Sequence, residues 1–219
     1  MRIEMLLPVL SNLPVCIAAV MAMVIYKKAD RALKLFCIYI YISTIVLLTG
    51  LVLSLNHTNN MVLLHIYSPV GFALLSLFYQ QLLKKAINKE LLPVLAVIFV
   101  VFSIVNSIFF QSVFTFNSNV LTVQSILIII LTLFTFLVSL NKSGISLVIK
   151  TNLNALGWIN AGLLLYHTST LLVLYLSNYI AKYYSFEFNV YIWYLNSAAF
   201  IIMYSCFIIG LWKQRKIYR

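Results

Sequence analysis

Seven runs of about 20 apolar residues, each closed by a short polar connector, leave this chain few ways to fold. A bilayer core about 30 Å thick is crossed by roughly 20 residues of helix, and inside it every backbone N–H and C=O must be satisfied within its own segment. The runs cover approximately 5–26, 35–55, 61–83, 91–111, 120–140, 153–177 and 191–212. Connectors such as "KKADRALK", "NHTNN" and "KKAINKE" allow only antiparallel neighbours. The expected fold class is therefore all-α, a single polytopic membrane domain over 1–219 with seven transmembrane helices. Composition agrees, because 9% of the residues are charged and 63% hydrophobic, where a soluble domain carries about 25% charged residues.

Fifteen Lys and Arg against four acidic residues give a net charge of +11, which by itself would suggest a nucleic-acid partner. Their placement excludes that reading. With the N-terminus outside, thirteen of the fifteen fall on the inner side, from Lys27, Lys28, Arg31 and Lys34 through Lys84, Lys85, Lys89, Lys142 and Lys150 to Lys213, Arg215, Lys216 and Arg219. Only Arg2 and Lys182 remain outside. Basic residues are retained on the cytoplasmic side, so the expectation is N-terminus out, C-terminus cytoplasmic, in the inner (cytoplasmic) membrane of the cell.

The first run is too long for a signal-peptide core and is followed by "YKKADR", a cytoplasmic anchor rather than a cleavage site. Cys16, Cys37 and Cys206 each lie within a run without C-x-x-C spacing, so neither disulfides nor a zinc knuckle are expected. The "NHT" sequon at Asn56 falls in an outer loop, and "NKS" at Asn141 falls inside. Nine aromatic residues between Tyr175 and Tyr194 gather at the outer ends of the last two runs. They fit an interfacial belt, with a lid over an outward pocket as the alternative.

No Asp, Glu, Lys or Arg occupies the central part of any run. A retinal Schiff base needs a lysine in "NSAAFIIMYSCFIIGLW", many proton-coupled carriers need a buried carboxylate, and intramembrane metal hydrolases need a ligand cluster. None is available, and no cofactor or metal is implied; a site of His65, His167 and His57 would be the sparse exception. What remains is neutral polarity, which helical spacing sorts into faces. His65, Ser68, Ser76 and Tyr79 share one face of the third run, with Pro69, Gly71 and Gln80 close by. Asn160, His167 and Thr170 share one of the sixth, and Asn196, Ser197 and Tyr204 one of the seventh. Ser11 and Asn12 in the first run and Ser103, Asn106 and Ser107 in the fourth add to them.

An interior lined mainly by the third, sixth and seventh helices is expected. Interhelical hydrogen bonding accounts for the Ser and Thr residues. Histidine is harder to account for, because a Ser or Asn would do the same work with less desolvation. His65 should lie about 6 Å and His167 about 15 Å inside the outer face, at about 1.5 Å per residue. The candidate ligand-binding residues are accordingly His65, Ser68, Ser76, Tyr79, Asn160, His167, Thr170, Asn196 and Tyr204, around one cavity that opens outward.

"TGLVLSLNHT" and "TLLVLYLSNY" agree at five of ten positions, but their flanks do not align, so a duplicated carrier is not expected. "LLHIYSPVGFALLSLFYQQL" and "LGWINAGLLLYHTSTLLVLYLSN" resemble a group of small, uncharacterised bacterial seven-helix membrane proteins. The resemblance implies the seven-helix fold and no activity. In that group a Glu often stands where this chain has Gly71, so a role resting on that carboxylate is not implied.

Three functions fit these residues. The first is a receptor-like sensor whose outward pocket binds a small or lipid-like ligand and whose basic inner loops pass a helix shift to a signalling partner. A facilitative carrier or channel for a neutral solute is the alternative. An intramembrane enzyme is disfavoured by the missing acids, bases and ligands. The lipid bilayer is the partner the sequence itself requires.

Overall fold

The computed structural model describes residues 10–140 and 147–217, the side chains of 147–154 and 217 excepted. Arg2, the start of the first run, the Asn141 sequon, Lys142, the Lys150 side chain and Arg219 lie outside the described residues. Among those described, seven α-helices follow one another: α1 (Asn12–Tyr26), α2 (Arg31–Leu55), α3 (Met61–Leu82), α4 (Leu91–Val105), α5 (Ser118–Leu140), α6 (Leu147–Tyr183) and α7 (Phe186–Ile217). A π turn, Asn106–Phe110, continues α4. Six of these elements are long and apolar enough to cross a membrane, and α1, with 15 residues, is the shorter apolar one.

The apolar runs set the helices, and local chemistry trims their ends. Asp30 caps α2, its side chain accepting the Leu33 N–H at 2.8 Å, which satisfies one of the amides a helix start leaves unpaired. α3 runs through Pro69 without a break. The last two helices overshoot the apolar runs that announce them: residues 178–190 read as a polar connector, yet only Tyr184 and Ser185 separate α6 from α7. A helix that has left the hydrocarbon pairs its own backbone whatever its side chains are, so hydropathy marks where the membrane ends and not where the helix does.

Packing arranges the helices as a ring. α1 touches α2, α2 touches α3, α3 touches α5, α5 touches α6, α6 touches α7, and α7 returns to α1, while α4 lies against α3. The polarity is that of a bundle in lipid. Val20, Met23, Ile45, Val97, Ile130 and Leu137 are exposed, whereas Ser43, Ser76, Ser125, Thr132, Asn160 and His167 are buried. Apolar side chains gain nothing by hiding from acyl chains, and hydroxyls and amides do.

The two ends of the bundle differ. One carries Lys27, Lys28, Lys84, Lys85 and Lys89 between helices and Lys213 and Lys216 near the end of α7; here Lys213 lies over the Trp158 ring at 5.1 Å and Lys216 over Trp212 at 3.9 Å. The other carries the aromatic residues, with Tyr179 against Tyr183 at 4.7 Å and Tyr184 stacked on Phe188 at 4.8 Å. In the basic half an aromatic plug fills the ring: Phe36 meets Phe78 at 5.3 Å and Phe207 at 5.0 Å, and Tyr204 meets Phe207 at 5.1 Å. The described residues leave the aromatic half unfilled, and it holds the cavity.

Candidate functional site

A cavity of about 380 Å³ occupies the ring between α1, α2, α3, α5, α6 and α7. Its depth follows from the antiparallel order of the helices. Ser54, Asn60 and Trp193 stand at the aromatic end and Tyr39, Tyr67, His167 and Tyr204 lie deepest; Trp193 and Tyr204, both in the lining, are separated by about 16 Å of helix. Ser54 is exposed while His167, Tyr39 and Tyr204 are buried, so the cavity opens at the aromatic end.

Three layers line it. The rim is polar and aromatic, with Ser54, Asn60, Phe116 and Trp193. Below it lies a collar of Leu47, Leu51, Leu63, Leu64, Leu121 and Leu174. The floor is neutral and polar, with Tyr39, Tyr67, Gln124, Ser125, Tyr166, His167, Asn196 and Tyr204. No Asp, Glu, Lys or Arg is among the described lining residues.

The hydrogen bonds at the floor fix what each group still offers. Ser125 Oγ donates its one proton to Leu121 O at 2.8 Å, and His167 Nδ1 stands 2.9 Å from the same oxygen. With that proton on Leu121 O, the imidazole donates from Nδ1 and Nε2 carries a bare lone pair. Gln124, one residue before Ser125, is buried with Oε1 unpartnered. By the same logic Ser43 Oγ donates to Tyr39 O at 2.7 Å and accepts from the Tyr67 hydroxyl at 2.6 Å. Tyr166 donates to Asn196 Oδ1 at 3.4 Å. Two tyrosine protons are thus committed, whereas His167 Nε2 has no partner among the described residues.

Tyr67 owes its position to Gly71: a Cβ added there would meet the Tyr67 ring at 3.3 Å. The ring lies over its own helix where a larger residue at 71 would stand. At the mouth, Asn178 Nδ2 donates to Phe116 O at 2.9 Å and to Ser118 Oγ at 3.0 Å. That bond ties the α4–α5 loop to α6, and Trp193 meets the Phe116 ring at 5.2 Å.

Of the nine residues singled out from the sequence, His167, Asn196 and Tyr204 line the cavity, as do Ser11, Asn12 and Ser197. The other six stand elsewhere. His65 joins α3 to the α4 end, Nδ1 2.8 Å from Ser107 Oγ and Nε2 donating to Thr115 O at 3.1 Å. Ser68 and Thr170 donate to carbonyls one turn back in their own helices, Leu64 O and Tyr166 O. Tyr79 donates to Asn160 Oδ1 at 2.8 Å, and Asn160 Nδ2 donates to Thr132 O at 3.0 Å, knitting α3, α5 and α6 below the floor. Ser76 is buried nearby with its hydroxyl unpartnered.

The Tyr79–Asn160 pair supports a stability prediction. Asn160→Leu leaves a fully buried Tyr79 hydroxyl without an acceptor, which should lower unfolding stability in lipid by about 1–3 kcal/mol. Adding Tyr79→Phe should return most of that loss, because the orphaned group is gone. A double variant no more stable than Asn160→Leu alone would show that the bond contributes little.

The sequence stripes did not reach α2 and α5, which line the cavity with Tyr39, Val46, Leu47, Gly50 and Ser54 and with Leu121, Gln124 and Ser125. The signal was present as spacing, since 39, 46, 47, 50 and 54 fall on one helical face. Comparison with protein-family models, with curated proteins and with solved structures finds no match to this chain.

Proposed function

We propose that the protein is a receptor-like sensor of the inner (cytoplasmic) membrane, with seven transmembrane helices, the N-terminus outside and the C-terminus cytoplasmic. Its outward cavity binds a small or lipid-like neutral ligand, and a shift of the ring helices is passed through the basic inner end to a signalling partner. The observation that supports this reading is the 380 Å³ cavity that ends on a buried histidine with an unpaired ring nitrogen. Cavities of about 300–1,000 Å³ with an apolar wall and a few convergent polar groups are what ligand sites use. A histidine whose only role is to bond another helix has no need of a cavity beside it.

Topology is tested on a cysteine-free background carrying one cysteine at a time. Thr58→Cys should react with a membrane-impermeant maleimide in intact cells, and Lys85→Cys only after the cells are opened. The reverse pattern would turn the protein over and put the cavity on the cytoplasmic side. Binding is tested by the thermal unfolding of purified protein against neutral amphiphiles. A saturable rise in stability in the wild type, lost in His167→Phe of equal starting stability, is the expected result. If His167→Phe lowers expression and folding together, the histidine is structural.

A facilitative carrier for a neutral solute is the second reading. The observation that favours it is a set of unpartnered buried acceptors at Ser76, Gln80 and Gln214, continuing the neutral polar groups towards the basic end. Stopped-flow shrinkage and reswelling of proteoliposomes in glycerol or xylitol separates the two, because a sensor leaves the swelling rate at that of empty liposomes.

A further inference from the structure

The layers of the cavity select a shape, and the hydrogen bonds at its floor select a chemistry. A molecule that reaches His167 must pass between the six leucines of the collar, where polar side chains are few, before it meets the buried Gln124, Ser125 and Tyr204. A compact polar solute would lose hydration in the collar for few hydrogen bonds in return. A charged head would reach a floor with no counter-ion among the described residues, where no ionisable acid or base other than His167 and the tyrosines lines the cavity. An apolar body with a neutral tip meets both demands.

The tip must also match what the floor lacks. Ser125 has given its proton to Leu121 O and takes one from His167 Nδ1, so Nε2 can only accept. Gln124 Oε1 is a second acceptor without a partner. Tyr67 and Tyr166 already donate, to Ser43 and to Asn196. His167 Nε2 and Gln124 Oε1 are thus acceptors without a donor among the described residues, and a buried acceptor left dry is costly.

We infer that the cavity takes an uncharged, elongated amphiphile head first, and that its head, a hydroxyl or N–H, donates a hydrogen bond to His167 Nε2 at the floor. This rests on the reading of the cavity as a ligand site and adds the ligand's class.

Trp193 lines the cavity and is one of three tryptophans, so Trp158→Phe and Trp212→Phe leave it as the sole reporter. The protein in lipid nanodiscs at neutral pH is titrated with 4-octylphenol, its methyl ether 4-octylanisole, and 4-octylbenzoate. The expected result is a saturable change in Trp193 fluorescence, with the phenol binding about tenfold more tightly than the ether and the benzoate weakest, the worth of one donated hydrogen bond to a buried acceptor. His167→Phe should erase the difference between phenol and ether. Ser125→Ala, which keeps the imidazole but removes the group that fixes its tautomer, should narrow it, and both variants are checked for wild-type unfolding temperature. Equal affinity for phenol and ether in the wild type overturns the donor inference and leaves the ligand site standing, as tighter binding of the benzoate would overturn the uncharged head. No saturable change with any of the three overturns the inference and the ligand site together.

Discussion

Gly162→Ala should destabilise the bundle by about 1–3 kcal/mol, the range expected when a methyl group is forced into a packed contact. A Cβ at this position would stand 2.8 Å from Cys206 Cβ and 2.9 Å from Met203 O. Neither neighbour is the far end of a flexible side chain, so α6 and α7 must separate. Gly210 faces back across the same interface, where its Cβ would stand 2.8 Å from Ala155 O and 2.9 Å from Ile159 Cγ1. Small residues let helix backbones approach closely where burial of apolar surface provides no drive for association. Gly157, on the same helix, has nothing within 4 Å of its added Cβ, so Gly157→Ala is the control and should leave stability unchanged or slightly raised. Gly162→Ala and Gly210→Ala together should cost less than their sum, because one separation of the helices makes room for both methyl groups. Unfolding in bicelles reads all four variants, and a Gly162→Ala protein as stable as Gly157→Ala would show that the close approach is not needed.

The spans were legible because two lengths coincide: the bilayer needs about 20 residues, and the apolar runs supply them. The run at 35–55 became Arg31–Leu55, and that at 61–83 became Met61–Leu82. Legibility failed where that coincidence has no hold. α6 and α7 continue through Asn178, Lys182 and Glu187, which no hydropathy argument would assign to helix. The α6–α7 contact is equally silent in the sequence, since Gly162 and Gly210 lie on different helices and each is an ordinary small residue until the two backbones are brought together.

For the site, burial of neutral polar groups was readable and their purpose was not. His65 and His167 look alike as residues, each a buried imidazole bonded to a serine one helix away. They differ in the second ring nitrogen: that of His65 donates to Thr115 O, whereas that of His167 has no partner among the described residues. Which one is a strut depends on a carbonyl in the α4–α5 loop that no periodicity reveals. Ser68 and Thr170 look like lining because hydroxyls are scarce in hydrocarbon, but such groups can bond their own helix one turn back and need no cavity. α2 contributes Tyr39, Val46, Leu47 and Gly50, a mixture that reads as ordinary packing until the ring closes around it.

Gly50 provides the test that separates the cavity from the fold. It lines the cavity at the level of the collar, and its added Cβ would stand 3.8 Å from Asn60 Nδ2 and 3.8 Å from Leu63 Cδ1, both ordinary contacts. The backbone therefore accepts a side chain here, unlike at Gly162, and the side chain extends into space that the proposed ligand would occupy. Gly50→Phe should reduce amphiphile binding at least about tenfold, by filling the passage between Leu47, Leu51 and Leu63 that the ligand's body would occupy. Stability should hold or rise, because the ring covers apolar wall that is otherwise bare and the helix loses a glycine, a residue worth about 1 kcal/mol less than alanine in a helix interior. Gly50→Ala adds a methyl group without reaching across and should bind nearly as the wild type does. Binding and unfolding temperature, measured on the same preparations, decide the matter: loss of both in Gly50→Phe would mean that the collar is part of the packed core, and retention of both would place the ligand elsewhere. Loss of binding alone, graded from alanine to phenylalanine, is what a passage to His167 requires.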